Sequence, residues 1–368
     1  MSTEGASAQS FLTFAYKTAE CGPILLDVYA PSLKQAEDDT SSTRPPPTIA
    51  PAVVFFHGGG LAVGDRTSWR PDWLKDRVVA SGMAFVSADY RLMPPATGHD
   101  IVEDIQALFR FIDKDLNALL EAAPAAHPFR IDPSALAVAG ASGGGLVAYL
   151  AVMHVSPKPR ALLALYAMGG DFFLPHYFAP KSGVFFMGRE VLDPAAYAEF
   201  LHPRSAAVPS LSASTLAYHG ADHAIPGFPA NPRMLLPRLY LQLGVWLDYY
   251  TGAHAPSLSG ALRDAAAQGA DLSACVPARH AKLWPQLAAG ASWPPTFLVH
   301  GSADSAVPVR ESQNIAELLR EGGVPVTLRV LDGKEHSPDL AADAAELYGS
   351  PGGLFDEVRD FLVEVLRS

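Results

Sequence analysis

Short runs of consecutive apolar residues alternate along this chain with longer stretches whose apolar residues recur at helical spacing. The short runs fall near residues 11–17, 24–30, 52–56, 84–88, 136–140, 161–166, 296–300 and 326–331. Their length and β-branched or aromatic content predict buried strands. The periodic stretches near 69–80, 99–121, 143–155, 310–321 and 353–366 predict helices. Strands alternating with helices predict an α/β fold, a mostly parallel eight-stranded sheet covered on both faces. The first two strands have no helix between them, which predicts an antiparallel edge. Residues 34–50 are polar and carry Pro45-Pro46-Pro47, so they read as an exposed loop.

The alternation stops at 172–291. That stretch is rich in proline and aromatic residues. Within it, Met234 to Tyr250 reads as a helix apolar on most faces, Leu258 to Gln268 as a second helix and Pro194 to Leu201 as a short one. The predicted domains are therefore a core of 1–171 and 292–368 and an inserted, mainly helical lid or cap of 172–291. In open α/β sheets ligands sit above the carboxyl ends of the strands, which is where such an insertion would arch. The other reading of 172–291 is a dimerising extension, giving a homodimer.

Four sites in the core carry candidate chemistry. Gly140-Ala141-Ser142-Gly143-Gly144 lies between a predicted strand and a predicted helix. A serine on so sharp a turn projects its hydroxyl, and its neighbours must lack bulk. The helix that follows aims its N-terminal N–H groups and positive dipole end at any oxyanion nearby. His57-Gly58-Gly59-Gly60 follows the strand near 52–56, and its glycines leave N–H groups open to a developing negative charge. Asp304 lies in the loop after the strand near 296–300, and His336 in the loop after the strand near 326–331. A serine needs a base to take its proton, and a histidine base needs a carboxylate to hold its tautomer. The chain order Ser142, Asp304, His336 is the one found in α/β-hydrolases.

On His57-Gly58-Gly59-Gly60, Asp89-Tyr90-Arg91-Leu92-Met93-Pro94-Pro95 and Gly140-Ala141-Ser142-Gly143-Gly144-Gly145, the chain resembles the α/β-hydrolase superfamily and, within it, the hormone-sensitive-lipase-like esterases. The resemblance spans roughly 10–170 and 292–368. It implies Ser142 as nucleophile, His336 as base and Asp304 as acid, with the N–H groups of Gly58, Gly59 and Gly143 as the oxyanion hole. It implies a carboxylic-ester hydrolase working through an acyl-enzyme, and the large apolar lid suggests a hydrophobic or aromatic ester or a lactone. Arylformamidase-like amide cleavage and acyl transfer use the same triad and stay open, as does, more remotely, a non-catalytic ligand receptor on this scaffold. Ala141 and Gly143 depart from the aspartate and alanine usual at these positions.

Composition narrows the partners. Of 368 residues, 27 are Lys or Arg and 38 Asp or Glu, a formal net charge of −11. An acidic chain without a basic cluster argues against nucleic acid and anionic membrane surfaces, leaving a small molecule as ligand. Cys21 and Cys275 make neither a disulfide framework nor a metal spacing. The start of the chain lacks a charged and then apolar leader, and no stretch is long and apolar enough to span a bilayer, so a cytoplasmic location is expected. No metal or other cofactor is expected. His219 and His223 are spaced i, i+4, but Gly220 and Pro226 disfavour a helix there and the glutamate of a zinc helix is missing. His57 and His300 read as structural anchors of their loops, Arg91 as an ion-pair residue supporting the oxyanion loop. Asp332 and Glu335 lie too near His336 in sequence to orient its ring from the far side.

Overall fold

The computed structural model describes residues 11–32, 47–123 and 128–368. Eight strands form one sheet: β1 (Phe11–Ala19), β2 (Gly22–Tyr29), β3 (Thr48–Phe56), β4 (Ala84–Ala88), β5 (Phe129–Ala141), β6 (Ala161–Leu165), β7 (Thr296–Gly301) and β8 (Val326–Leu331). Their order is β1-β2-β4-β3-β5-β6-β7-β8. β2 pairs antiparallel with both β1 and β4, and every other pairing is parallel. The central strands are near-continuous apolar runs because both faces are covered; Val53 to Phe56 and Leu136 to Ala139 are all buried.

The helices are α1 (Asp72–Ala80), α2 (Gly98–Lys114), α3 (Leu116–Ala122), α4 (Gly143–His154), α5 (Pro175–Phe178), α6 (Leu236–Leu243), α7 (Trp246–Thr251), α8 (Leu258–Ala267), α9 (Ala278–Ala281), α10 (Arg310–Glu321), α11 (Ala344–Tyr348) and α12 (Leu354–Arg367). One face of the sheet packs on α1 and α12 through Leu74, Val78, Val358 and Leu362. The other packs on α2, α4 and α10, and the insertion extends that core with Phe172, Trp246, Tyr250 and Trp284.

Three boundaries differ from the sequence pattern. Most of the proline-rich 34–50 stretch lies outside the described residues. Its end, Thr48 to Ala50, belongs to β3, because Phe129 to Ile131 of β5 pair with it beyond a register shift at Ala50/Ala52. The single helix expected over 99–121 is two, broken at Asp115. The helix expected over Met234 to Tyr250 breaks at Gly244, which is left-handed (φ 65°) and ends α6. A Cβ there would come within 2.6 Å of the Phe178 carbonyl oxygen, so glycine lets α5 pack against the turn.

Candidate active site

Ser142 sits where β5 turns into α4, with φ 54° and ψ −122°. This is a conformation that non-glycine residues avoid. The surroundings hold it there. Ser142 N donates to the Leu165 carbonyl (2.9 Å), and the Ser142 carbonyl accepts from Gly145 N (3.0 Å) and Met168 N (3.1 Å). A Cβ at Gly140 would lie 2.0 Å from the Gly144 carbonyl oxygen, and one at Gly144 would lie 2.1 Å from that of Phe56. The glycines of the motif are thus required by backbone contact.

The His57-Gly58-Gly59-Gly60 loop packs against this turn. A Cβ on Gly143 would stand 2.8 Å from Gly60 N, and one on Gly58 would stand 3.5 Å from the Ser142 Cβ. The N–H groups of Gly58, Gly59 and Gly143 donate no turn or loop bond to the backbone of the described residues. His57 is fully buried, its ring stacked on Tyr90 at 4.5 Å with Nδ1 2.8 Å from the Gly58 carbonyl. Burial lowers its pKa to about 4, which suits a neutral anchor. Tyr90 Oη donates to the His57 carbonyl (2.8 Å) and ties down the other side of the loop. Arg91 is an ion-pair residue as expected, but its partners lie on α2 and not on the oxyanion loop. It ion-pairs with Asp100, Glu103 and Asp104 of α2, whereas Arg66, paired with Asp27 and Asp89, braces the loop beyond the glycines.

His336 reaches both partners. Its Nδ1 is 2.7 Å from Asp304 Oδ2 and its Nε2 is 3.0 Å from Ser142 Oγ. With the proton held on Nδ1 by the carboxylate, Nε2 faces the serine hydroxyl as an acceptor. Asp304 Oδ1 accepts from Ala306 N (3.0 Å) and Val307 N (2.8 Å). Burial alone would raise this carboxyl. Hydrogen bonds from His300 and His336 outweigh it and hold Asp304 well below the usual carboxylate range. His300 is buried, with Nδ1 2.8 Å from Ser312 Oγ and Nε2 2.8 Å from the Val307 carbonyl, and it shapes the acid loop. Glu335 turns away from the His336 ring and binds Ser305, while Asp332 meets Ser302.

The serine opens into a cavity of about 540 Å³. Core residues on its wall include Trp69, Tyr166 and Met168; the insertion contributes Phe186, Met187, Arg189, Tyr218, Met234, Pro237 and Leu241. Pro237 presses on Gly60, where a Cβ would be 2.5 Å away. Met187 N donates to Ser305 Oγ (2.7 Å), and Ser305 in turn bonds Glu335, so the insertion touches the residues next to both Asp304 and His336. Among the described residues no group of His, Cys, Asp and Glu has the geometry of a metal site. Nor, among the described residues, is any helix long and apolar enough to cross a membrane. His219 and His223 stack on one another at 3.8 Å, and neither lines the serine cavity.

Sequence reasoning did not find Tyr166 or Asp339. Tyr166 has φ 40° and sets its ring edge against His336, with centroids 4.8 Å apart. Asp339 is buried and accepts from Trp73 Nε1 (2.9 Å), which fixes the turn after His336. Tyr166 could have been suspected as the residue ending a buried strand. Asp339 left no local signal, because its partner is 266 residues away.

Residues 53–210 match the sequence family described as having the alpha/beta hydrolase fold. The probable carboxylesterase M8 of Phoma sp. is 33% identical over 157 residues, which are 42% of this chain and 46% of M8. The non-reducing polyketide synthase ausA of Aspergillus calidoustus is 26% identical over 340 residues, 87% of this chain and 13% of the synthase. The chain thus spans less than half of the first relative and about an eighth of the second. A thermophilic esterase from Thermogutta terrifontis, solved with butyrate bound, superposes with a TM-score of 0.55 at 19% identity, covering 96% of this chain and 94% of its own. The chain therefore has the α/β-hydrolase fold, and residues 53–210 match a sequence family of that fold.

Proposed function

We propose that the chain is a serine hydrolase that cleaves a carboxylic ester or lactone through an acyl-enzyme. The observation that carries this reading is the line Asp304 Oδ2, His336 Nδ1, His336 Nε2, Ser142 Oγ, with gaps of 2.7 and 3.0 Å, ending on a serine held at φ 54°. In this reading His336 takes the Ser142 proton as Oγ attacks the ester carbonyl. Gly58, Gly59 and Gly143 N–H groups receive the oxyanion. The tetrahedral intermediate collapses, the alcohol leaves with the proton from His336, and the serine is acylated. Water, deprotonated by His336, then releases the acid and frees Ser142. Asp304 stays ionised throughout and holds the imidazole in place.

The insertion acts as the lid in this proposal. Its apolar wall suits a hydrophobic or aromatic acyl or alcohol part. The relatives named a carboxylesterase and a polyketide synthase, and the esterase of similar fold with butyrate bound, support an acyl substrate. A fluorescent phosphonate that reacts with activated serines should label the protein at Ser142, and Ser142→Ala should lose both label and esterase turnover, the latter by several orders of magnitude. Labelling at a different serine, or an alanine variant that keeps near-normal turnover, would retire the assignment.

A further inference from the structure

The insertion satisfies its charges differently from the core. Among the described residues every ion pair joins groups outside 172–291. Several cations of the insertion are spent on backbone carbonyls instead. Arg233 donates to Ala62, Met93 and Pro94, Arg263 to Phe178 and Gly244, and Lys181 to His176, Ala179 and Leu241. Arg238 does neither. It is 6% exposed, and its Nε has no hydrogen-bond partner. A buried guanidinium without a counter-charge is costly, and an anion that meets it recovers that cost.

The surroundings of Arg238 lead to the cavity. Gln242 lies one turn along the same face of α6. Its Oε1 accepts from Leu192 N (2.7 Å) and its Nε2 donates to the Leu192 carbonyl (2.8 Å). This strap lays the segment Arg189 to Leu192 along the face that carries Arg238. Arg189 ends a turn closed by reciprocal backbone bonds with Phe185 (2.9 and 3.2 Å) and forms part of the cavity wall. Its charge bears on Arg238: burial first, and then Arg189, lower the Arg238 pKa. No Asp or Glu lines the cavity among the described residues. Arg189 thus stands on the wall of a cavity that no carboxylate lines among the described residues, and Arg238, its Nε unpartnered, lies on α6 between Pro237 and Leu241 of that wall.

We propose that Arg189 and Arg238 form an anion subsite that receives a carboxylate borne by the substrate, separate from the carbonyl attacked by Ser142. The proposal rests on the esterase reading above. It makes the substrate an ester or lactone with an apolar body, set against Met234, Pro237 and Leu241, and a free acid group. Guanidinium groups bind carboxylates through paired, charge-assisted hydrogen bonds, which gives direction as well as attraction.

The test compares mono-4-nitrophenyl glutarate with 4-nitrophenyl pentanoate, whose acyl chains differ mainly in the terminal acid. The wild-type protein should favour the glutarate ester in kcat/KM by about tenfold, and 0.5 M salt should shrink that preference. Arg189→Gln and Arg238→Gln should each lower the glutarate-to-pentanoate ratio about tenfold, and Arg189→Lys should keep most of it. The ratio is internal to each variant, so partial loss of folded protein does not change it, and Arg189, being exposed, tests the idea even if Arg238→Gln does not fold. A wild-type ratio near one, or a ratio that moves less than twofold in both glutamine variants, overturns the proposal. Calorimetric titration of Ser142→Ala with the same two esters reads binding alone. Tighter binding of the glutarate ester, lost in Ser142→Ala/Arg189→Gln, supports the subsite even if the wild type hydrolyses neither ester, a result that would sink the esterase reading only. Equal binding of both esters overturns the subsite whatever the turnover.

Discussion

The sheet core and the insertion are built by different means, and the candidate site lies on their seam. In the core, regular strands and helices satisfy the backbone, and charges are paired: Arg66 with Asp27 and Asp89, Arg91 with three carboxylates of α2. The insertion uses short helices and 3₁₀ turns such as Pro194–Phe200, Arg204–Ala207 and Pro232–Leu235. Its base is as buried as the core, with Phe172 within 5.5 Å, centroid to centroid, of Tyr177, Trp246, Tyr250 and Trp284. Its outer parts expose Val184, Met187, Tyr218 and Ile225. A buried base under an exposed rim separates two tasks. The core places the proposed reacting groups to within hydrogen-bond distance, and the insertion contributes part of the cavity wall beside them.

The sharpest way to break this division is to alter the acid loop. Asp304→Asn keeps the shape but can no longer accept the Nδ1 proton in the same tautomer. Steady-state kinetics should show kcat lowered on the order of 10⁴-fold, with the ratio among ester substrates unchanged. Because Asp304 is held well below the usual carboxylate range, an acid limb in the wild-type rate profile should not report this carboxylate. If Asp304→Asn stays active while Asp332 or Glu335 variants lose turnover, the core has been assigned the wrong acid.

A second experiment probes the seam itself. Glu311 of α10 is fully buried, where Tyr177 Oη of the insertion and Asp171 N donate to it. Burial pushes its carboxyl up to about 8 despite those bonds. The folded state therefore binds a proton more tightly than the unfolded chain does. This contribution to stability is fully present below the ordinary glutamate range, and it falls as pH rises through the window from about 4.5 to 8. Denaturant unfolding across that window should show a loss of up to about 1.4 kcal/mol per pH unit from this group. Glu311→Gln should flatten the slope, and an unchanged slope would show that the seam carries no such buried acid.

The smallest effect should come from the rim. The ring of Phe186 lies on the cavity wall. If the insertion sets acyl preference, each added methylene should raise kcat/KM about fourfold, from about 0.8 kcal/mol of burial. Phe186→Ala should reduce that gain over a series of 4-nitrophenyl esters. Equal slopes for variant and wild type would leave the insertion a structural or dimerising element.

Much of the core was legible in the sequence because its constraints are local. A buried strand is a short apolar run, and β5, β6 and β7 read that way. Gly140 and Gly144 announce the turn at Ser142 because no Cβ fits between the chains that cross there. Where neighbours in space decide, the pattern misled. Thr48 to Ala50 joined β3 only because β5 offered partners, and Gly244 broke an apolar stretch because α5 packs against it.

The sequence by itself determined the alternating α/β layers, the strained serine turn and the chain order of Ser142, Asp304 and His336. Those follow from periodicity and from the few residues that a tight backbone tolerates. Only the tertiary structure decided that residues 32 and 194 positions apart meet at one imidazole. It also decided which aromatic residues of the insertion form a base and which a wall, and that Arg238 is buried without a counter-charge. Apolar character tells a side chain to leave water, but not against which neighbour, and charge pairing depends on distances that the linear order of a chain does not contain.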